Sequence, residues 1–162
     1  MIIGLPKETM PGETRIALLP VDIKNILSDS ISFQIETGAG IGANFPDELY
    51  LESGVDIIPD VYESANLIIR INPLSVSEID KLKEGSCLVS LINPFINHDI
   101  VKKLANKNIS TFCLDLIPRS TYAQSMDVLS SQATVSGYRS VLNAASHIGK
   151  FFPMLMTPAG TI

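Results

Sequence analysis

The chain has 162 residues, of which 46% are hydrophobic and 18% charged, with a net charge of −5 and a mean hydropathy of +0.28. This length fits one domain, or one domain and a small piece, and the composition excludes a disordered chain and favours a sheet covered on both faces. The acidic balance provides no basic surface for nucleic acid or for an anionic membrane.

The first half of the chain alternates short apolar runs with helical patterns. MIIGLP opens as a buried strand, Pro20 suits the first position of a short helix, and ISFQIE forms the next strand. VDIIPD follows as a third strand, and VYESA is predicted to form a turn of helix. Strands and helices are therefore interleaved from the start.

The segment GAGIGANFPDELYLESG imitates a dinucleotide-binding fingerprint. Gly38, Gly40 and Ala43 follow a strand, but a fingerprint needs its third small residue inside a helix whose free N–H groups face a pyrophosphate. Here Asn44 and Phe45 intervene, and the helix restarts only at Pro46. A tight structural turn is the favoured interpretation, and a pyrophosphate site is the alternative.

The second half of the chain continues the alternation. Three further strand patterns are LIIRINP, CLVSLINP and ISTFCL. Between them, Ser75 and Glu78 form a capping-box pattern for one helix, and Asn97 is placed to cap the next. Five or six strands alternating with helices predict an α/β fold: a parallel, doubly wound sheet of the flavodoxin or Rossmann type, with helices on both faces.

Pro118–Ser131, reading PRSTYAQSMDVLSS, is the densest group of hydrogen-bonding side chains in the chain. It places Arg119, Gln124, Asp127 and Ser130 in one loop between the last strand and a long helix. In open α/β sheets, ligands lie beyond the carboxyl ends of the strands, so this loop is the first candidate for chemistry. The alternative is an ordinary solvated connection. Asp127 is equally suited to cap a short helix begun at Met126, and it can serve both a functional and a capping role.

The last helix pattern, TVSGYRSVLNAASHIGKFF, repeats its apolar positions along one face, at Val135, Tyr138, Leu142, Ala145 and Gly149. An apolar tail, FPMLMTPAGTI, follows it. We predict a domain at residues 1–133 and a connecting helix and tail at 134–162, which lead towards something outside this chain.

Three of the four arginines are predicted beyond or near the carboxyl ends of strands: Arg15, Arg70 and Arg119. A guanidinium suits carboxylate, phosphate or carboxamide oxygens. Arg70 lies inside an apolar run, where it needs a partner, either in a structural ion pair or in a ligand. Arg139 is interpreted as a surface or inter-element pair.

Other kinds of site find no support in the sequence. His98 and His147 have no nucleophile and base arranged near them, and Cys87 and Cys113 lack disulfide or metal-ligand spacing. We therefore predict no metal site. No export signal precedes the first strand, and no apolar run approaches the roughly 18 residues of a membrane span, which predicts a chain without direct membrane insertion.

Four stretches carry a resemblance to a known family. GLPKETMPGETRIALLP and ETGAGIGANFPDELYLESG are similar to segments shared by two related enzymes, alanine dehydrogenase and the alpha subunit of proton-translocating nicotinamide nucleotide transhydrogenase. INPLSVSEIDKLKEGSCLVSLINP and the segment from Pro118 to the end resemble the transhydrogenase throughout. The resemblance to the transhydrogenase alpha subunit covers essentially the whole chain.

This resemblance implies hydride transfer directly between the nicotinamide rings of NADH and NADP+, coupled to proton movement by a membrane partner. The family's loop residues match Arg119, Gln124, Asp127 and Ser130, and the resemblance makes all four NAD(H)-binding residues and the first three catalytic. Arginine and serine would hold the carboxamide and ribose side of the ring, while glutamine reaches towards the NADP(H) subunit. Their task is to align the two C4 atoms, and no side chain needs to donate a proton.

The resemblance also implies partners and a location. A nucleotide-binding Rossmann domain is expected just after TPAGTI and is absent from this chain, so the isolated chain is expected to be inactive. The expected partners are NADP(H)-binding and membrane subunits and a second copy in a homodimer. The expected location is cytoplasmic, at the inner face of the bacterial cytoplasmic membrane.

Two alternatives remain at this point. Alanine dehydrogenase uses an arginine and a lysine for the substrate carboxylate and a histidine as acid or base. Arg15 matches that arginine, but Arg70 replaces the lysine and Asn93 stands near the histidine position, which disfavours an alanine dehydrogenase-like fragment. The other alternative is a non-catalytic module that assembles with a partner subunit through the last helix and the tail.

Overall fold

The structure is a computed structural model that describes residues 1–161. It divides into two compact units, Met1–Ile117 and the residues from Pro118 onward. A compact unit is defined by packing alone, so the domain limits at 133 and 134 stay predictions. The elements of the first unit are β1 (Ile2–Leu5), α1 (Pro20–Ile26), β2 (Ser32–Glu36), α2 (Asp47–Leu51), β3 (Asp56–Ile58), β4 (Leu67–Ile69), α3 (Val76–Lys81), β5 (Cys87–Ser90), α4 (His98–Asn106) and β6 (Ser110–Cys113).

The first unit is built on a six-stranded sheet in the order β3-β2-β1-β4-β5-β6. Every neighbouring pair is parallel, and Ile3 in the centre of β1 pairs with Phe33 on one side and Leu67 on the other. The chain thus winds outward from β1 in one direction and from β4 in the other. The predicted doubly wound parallel sheet is confirmed.

Helices cover both faces of this sheet. Side chains alternate along a strand, so Ile3 and Leu5 of β1 join one buried cluster while Ile2 packs against the other. The first cluster contains side chains from α1 and α2, and the second contains side chains from α3 and α4. Each fully buried Leu or Ile contributes about 1.5–3 kcal/mol relative to an exposed one, so the two clusters hold the helices on the sheet.

The structure tests the predicted helix caps and the predicted turn of helix at residues 61–65. The capping box is confirmed, since Ser75 N–H donates to Glu78 Oε2 at 2.7 Å and Glu78 N–H donates to Ser75 Oγ at 3.3 Å. The predicted cap by Asn97 is wrong, because its side-chain amide donates to the Ile92 carbonyl at 2.6 Å instead. The predicted turn of helix at residues 61–65 is present as a single turn, in which the Ala65 N–H donates to the Val61 carbonyl at 3.1 Å.

The glycine turn after β2 packs the chain against itself. Gly38, at φ +72°, donates its N–H to both carboxylate oxygens of Asp47 at 3.0 and 3.1 Å. A Cβ on Gly40 would lie 2.3 Å from the carbonyl oxygen of Phe45. Only a three-residue 3-10 helix follows, at Ile41–Ala43, where a fingerprint would begin an α-helix. This geometry agrees with the structural-turn interpretation.

The second unit consists of a loop, a long helix and a small hairpin. Its helix α5 (Val128–His147) has 20 residues, which confirms a long last helix, but it begins before the predicted Thr134. The hairpin pairs Met156–Thr157 with Gly160–Thr161. Among the described residues, no helix is both long enough and apolar enough to cross a bilayer.

Helix α5 carries a row of uncovered apolar side chains. None of its residues is buried, and Val135 and Tyr138 on its predicted apolar face are 59% and 70% exposed. We call the exposed side chains of Val135, Tyr138, Val141 and Leu142 the α5 apolar face. The periodicity that predicted this face is present, but no residue of the second unit, as far as Thr161, buries it.

Candidate functional site

An open depression of about 320 Å³ lies entirely within the second unit. It is lined by Pro118, Arg119, Ser120, Thr121, Gln124, Asp127 and Ser130. All four residues that the sequence placed in one site are therefore brought together. Asp127 is half-buried, and the other three are exposed to solvent.

Asp127 and Ser130 form the fixed part of the depression. The Asp127 carboxylate accepts the Ser130 N–H at 3.0 Å and the Ser130 hydroxyl at 2.6 Å, which makes Asp127 the N-cap of α5. These bonds lower the pKa of Asp127, with a smaller contribution from the positive charge of Arg119. The cap explains why α5 starts at Val128. Because the Ser130 proton is donated to Asp127, the oxygen of Ser130 is left to accept from a ligand.

Arg119 and Gln124 form the more exposed part of the depression. The backbone that carries them is held by Ser120, whose hydroxyl accepts the N–H of the buried Ala123 at 3.3 Å. A 3-10 helix at Ala123–Met126 then places Gln124 beside Asp127. The guanidinium offers donors, and the Gln124 amide offers both donors and an acceptor.

The chemistry of this set matches a primary carboxamide. A carboxamide presents one carbonyl oxygen, which accepts, and one NH2 group, which donates. The depression supplies donors from Arg119 and Gln124, and acceptors from Asp127, Ser130 and Gln124. Nicotinamide carries such a group, so the residues present fit this end of the cofactor.

Arg70 lies in the first unit and takes part in a buried ion-pair network. Its side chain is 1% exposed, and its Nη1 donates to Glu78 Oε1 at 3.0 Å and to the Tyr62 hydroxyl at 3.2 Å. Its Nη2 lies 3.3 Å from Glu8 Oε2. Of the two alternatives left open by the sequence, the structural ion pair is the one observed.

Glu8 and Glu78 are the partners that sequence reasoning missed. A buried arginine requires a carboxylate, and Glu8 follows β1, the strand that neighbours β4. That adjacency depends on the strand order, which the sequence pattern leaves open. The need of a buried arginine for a carboxylate was the only signal in the sequence that pointed to these partners.

Arg15 lies at a second, smaller cavity of about 170 Å³ near the ends of β1 and β2. Its guanidinium is half-exposed and pairs with Glu13, with Nη2 at 2.6 Å from Oε2 and Nε at 2.8 Å from Oε1. Asn72 donates to Glu13 Oε2 at 3.0 Å. Because Arg15 is already paired and Arg70 is buried, this arrangement does not favour a site for a substrate carboxylate.

The network around Arg70 predicts a loss of stability in acid. Burial opposes ionisation of Glu78, but hydrogen bonds from Ser75 and the charge of Arg70 lower its pKa to about 2, below the usual 4.5. Ionised Glu78 therefore stabilises the fold above about pH 4.5, and this contribution is lost as the pH falls towards 2. Urea unfolding midpoints measured between about pH 6 and pH 2.5 should decrease through this window.

The matched variant for this test is Glu78→Gln. It should be less stable than the parent near neutral pH, and its unfolding midpoint should fall less steeply below about pH 4.5, because the titrating group is gone. An equally steep decrease in both proteins would show that Glu78 does not contribute to the acid sensitivity. The exposed Glu63→Gln variant serves as the control for a change of charge alone.

The described part of the chain contains no cluster of side chains that could bind a metal ion. No three His, Cys, Asp or Glu side chains among residues 1–161 lie together in a metal-binding arrangement. Cys87 and Cys113 are both free thiols and half-buried.

Comparison with known proteins points to one family. The family model for the N-terminal domain of alanine dehydrogenase/PNT matches residues 4–136. The chain is 38% identical to the NAD(P) transhydrogenase subunit alpha of Haemophilus influenzae, over 100% of this chain and 32% of the relative. It superposes on the crystal structure of transhydrogenase from Sinorhizobium meliloti with a TM-score of 0.94 and 34% identity, covering 100% of this chain and 49% of that one.

The similarity to alanine dehydrogenase is more distant. The alanine dehydrogenase of Methanococcus maripaludis is 27% identical over 93% of this chain and 40% of the relative. The chain thus spans less than half the length of each of these three proteins.

Proposed function

Because the chain belongs to the alanine dehydrogenase/PNT N-terminal domain family, we propose that it is the N-terminal portion of the NAD(H)-side subunit of a proton-translocating NAD(P)+ transhydrogenase. The observation that carries the proposal is the common depression lined by Arg119, Gln124, Asp127 and Ser130. The higher identity to a transhydrogenase subunit than to alanine dehydrogenase supports the same choice.

The proposed ligand of the depression is the nicotinamide end of NAD(H). When bound, the reduced ring supplies a hydride from its C4 atom, and NADP+ on the partner subunit accepts it, so that NADH becomes NAD+ and NADP+ becomes NADPH. Arg119 donates to the carboxamide oxygen, and Ser130 accepts from the carboxamide or ribose side. Asp127 holds the Ser130 hydroxyl in place through the 2.6 Å hydrogen bond.

Gln124 is proposed to work at the boundary with the second nucleotide. It lines the depression and is exposed to solvent, so its amide can reach groups outside this chain. Together the four side chains fix the position of the ring, and fixing a near-contact geometry is a large part of hydride-transfer catalysis. None of them has to gain or lose a proton in the reaction.

The 162-residue chain by itself is expected to bind NADH only weakly, without saturation below about millimolar concentration, because the depression contacts one end of the dinucleotide. The glycine turn, the other candidate for a nucleotide contact, is occupied by Asp47 and Phe45. Calorimetric titration with NADH measures this directly. A micromolar dissociation constant would contradict the division of the site between this chain and a further domain.

The remaining proposals concern assembly. We propose NADP(H)-binding and membrane subunits as partners, a homodimer of the NAD(H)-side subunit, and a place at the cytoplasmic face of the membrane. A role in assembly without catalysis is favoured by one observation, the exposed α5 apolar face. L-alanine-dependent reduction of NAD+ by the assembled subunit would instead indicate the alanine dehydrogenase activity.

A further inference from the structure

In the first unit, the side chain of Glu8 fills the position at the edge of the sheet where a ligand would be expected. In doubly wound sheets, ligands bind beyond the carboxyl ends of the strands where the winding direction reverses. In this chain that point lies between β1 and β4. The side chain of Glu8, which follows β1, extends to the residues that follow β4 and is only 3% exposed.

Four donors surround the Glu8 carboxylate. Oε1 accepts the N–H of Ile71 at 2.6 Å. Oε2 accepts the N–H of Asn72 at 3.2 Å, its side-chain amide at 3.1 Å and Arg70 Nη2 at 3.3 Å. Consecutive backbone N–H groups beside a guanidinium are the groups that bind a carboxylate or another small oxyanion.

The charges around this carboxylate fit an anion site. Arg70 is almost fully buried, and its second carboxylate partner, Glu78, approaches the other terminal nitrogen. Its Nε is buried without a hydrogen-bond partner in the described part of the chain. Without an acceptor on the Glu8 side, Nη2 and Nε of this buried guanidinium would both lack hydrogen-bond partners in the described part of the chain, which is costly for a buried charged group.

We propose that Arg70, Ile71 and Asn72 form an anion cradle at the switch point of the sheet, which the chain closes with its own Glu8. In the native chain this position is therefore unavailable to a nucleotide phosphate or a substrate carboxylate. Once the Glu8 side chain is removed, the cradle binds a small carboxylate such as formate. The cradle is formed only by contacts within the first unit and does not depend on the proposed transhydrogenase function.

The closed cradle also holds the loop that contains Arg15. Asn72 donates from one amide nitrogen to both Glu8 and Glu13, and Glu13 in turn binds the Arg15 guanidinium. Glu8, Glu13 and Arg15 all line the smaller cavity, so loss of the Glu8 carboxylate would also loosen the contacts that shape this cavity.

The test is chemical rescue of the Glu8→Ala variant of the full chain. Its thermal unfolding midpoint should lie below that of the parent and rise with sodium formate, by roughly 3–6 °C at tenfold the dissociation constant and with the logarithm of the concentration above it. Sodium chloride at the same ionic strength should give no such rise. The parent chain and the exposed Glu63→Ala variant should respond equally to both salts.

The refolding yield of Glu8→Ala and the formate response of Glu8→Gln provide two further tests of the cradle. If Glu8→Ala does not fold in buffer, its refolding yield should increase in formate and not in chloride, and failure in both salts overturns the proposal. Glu8→Gln keeps the cradle filled, so it should show no formate-specific stabilisation. A formate response in Glu8→Gln equal to that of Glu8→Ala would place the binding elsewhere and overturn the cradle.

Discussion

The Arg70→Ala variant is expected to lose about 3–5 kcal/mol of unfolding free energy, because removal of one partner from a buried ion pair leaves the other without compensation. In this chain two carboxylates, those of Glu8 and Glu78, lose the guanidinium between them. The Tyr62 hydroxyl loses a donor as well. Urea unfolding followed by circular dichroism near neutral pH gives the difference in free energy.

Two variants accompany this measurement. Arg139→Ala removes an exposed arginine and should change the unfolding free energy by no more than about 0.5 kcal/mol. Arg70→Lys keeps the charge but loses the planar fork that contacts three groups at once, so its stability should lie between those of the parent and Arg70→Ala. A loss below about 1 kcal/mol in Arg70→Ala would mean that the network is not important for folding.

Arg119→Ala or Gln124→Ala, introduced into the complete NAD(H)-side subunit and assembled with the NADP(H) subunit, should slow hydride transfer by about 10²-fold or more. The reason is geometric, since each variant removes a group proposed to fix the nicotinamide ring in the depression. Single-turnover absorbance measurements report the transfer step itself. The unfolding midpoint should stay unchanged, because both side chains are exposed.

Suitable controls separate positioning from a general effect of charge. Lys102→Ala removes an exposed positive charge in the first unit and should leave the transfer rate unchanged. Arg119→Lys retains a charge without the fork and should recover only part of the lost rate. If Arg119→Ala transferred hydride as fast as the parent, the proposed role of the loop would be wrong.

The secondary structure could be predicted because its signals are local. The capping box at Ser75 and Glu78 is contained in four consecutive residues, and each strand was predicted by a short apolar run. The cap by Asn97 was predicted wrongly because a competing local acceptor, the Ile92 carbonyl in the preceding loop, accepts its side-chain amide. The start of α5 was placed too late because Asp127 was considered as the cap of a short helix begun at Met126, whereas it caps the long helix itself.

The loop depression and the network around Arg70 differ in how far apart their residues lie in the sequence. The four residues of the loop lie close together in the chain, so a single turn and the first turn of α5 are enough to bring them into one depression. Glu8, in contrast, contacts residues 62 to 64 positions further along. That contact depends on the β1–β4 pairing, which an apolar pattern does not specify. The need for a carboxylate partner of Arg70 could therefore be predicted from its place in an apolar run, but the residue that supplies the carboxylate could not.

The central place of β1 also affects how the chain is made. β1 is translated before both of its neighbours in the sheet, β2 and β4, and the second of these is complete only when Ile69 has been added. During synthesis, which proceeds from the N-terminus, one edge of β1 therefore stays without hydrogen bonds while the next several elements leave the ribosome. β1 thus depends on strands made after it for the protection of its edges, and until β4 is made its open edge is available for pairing with a wrong strand.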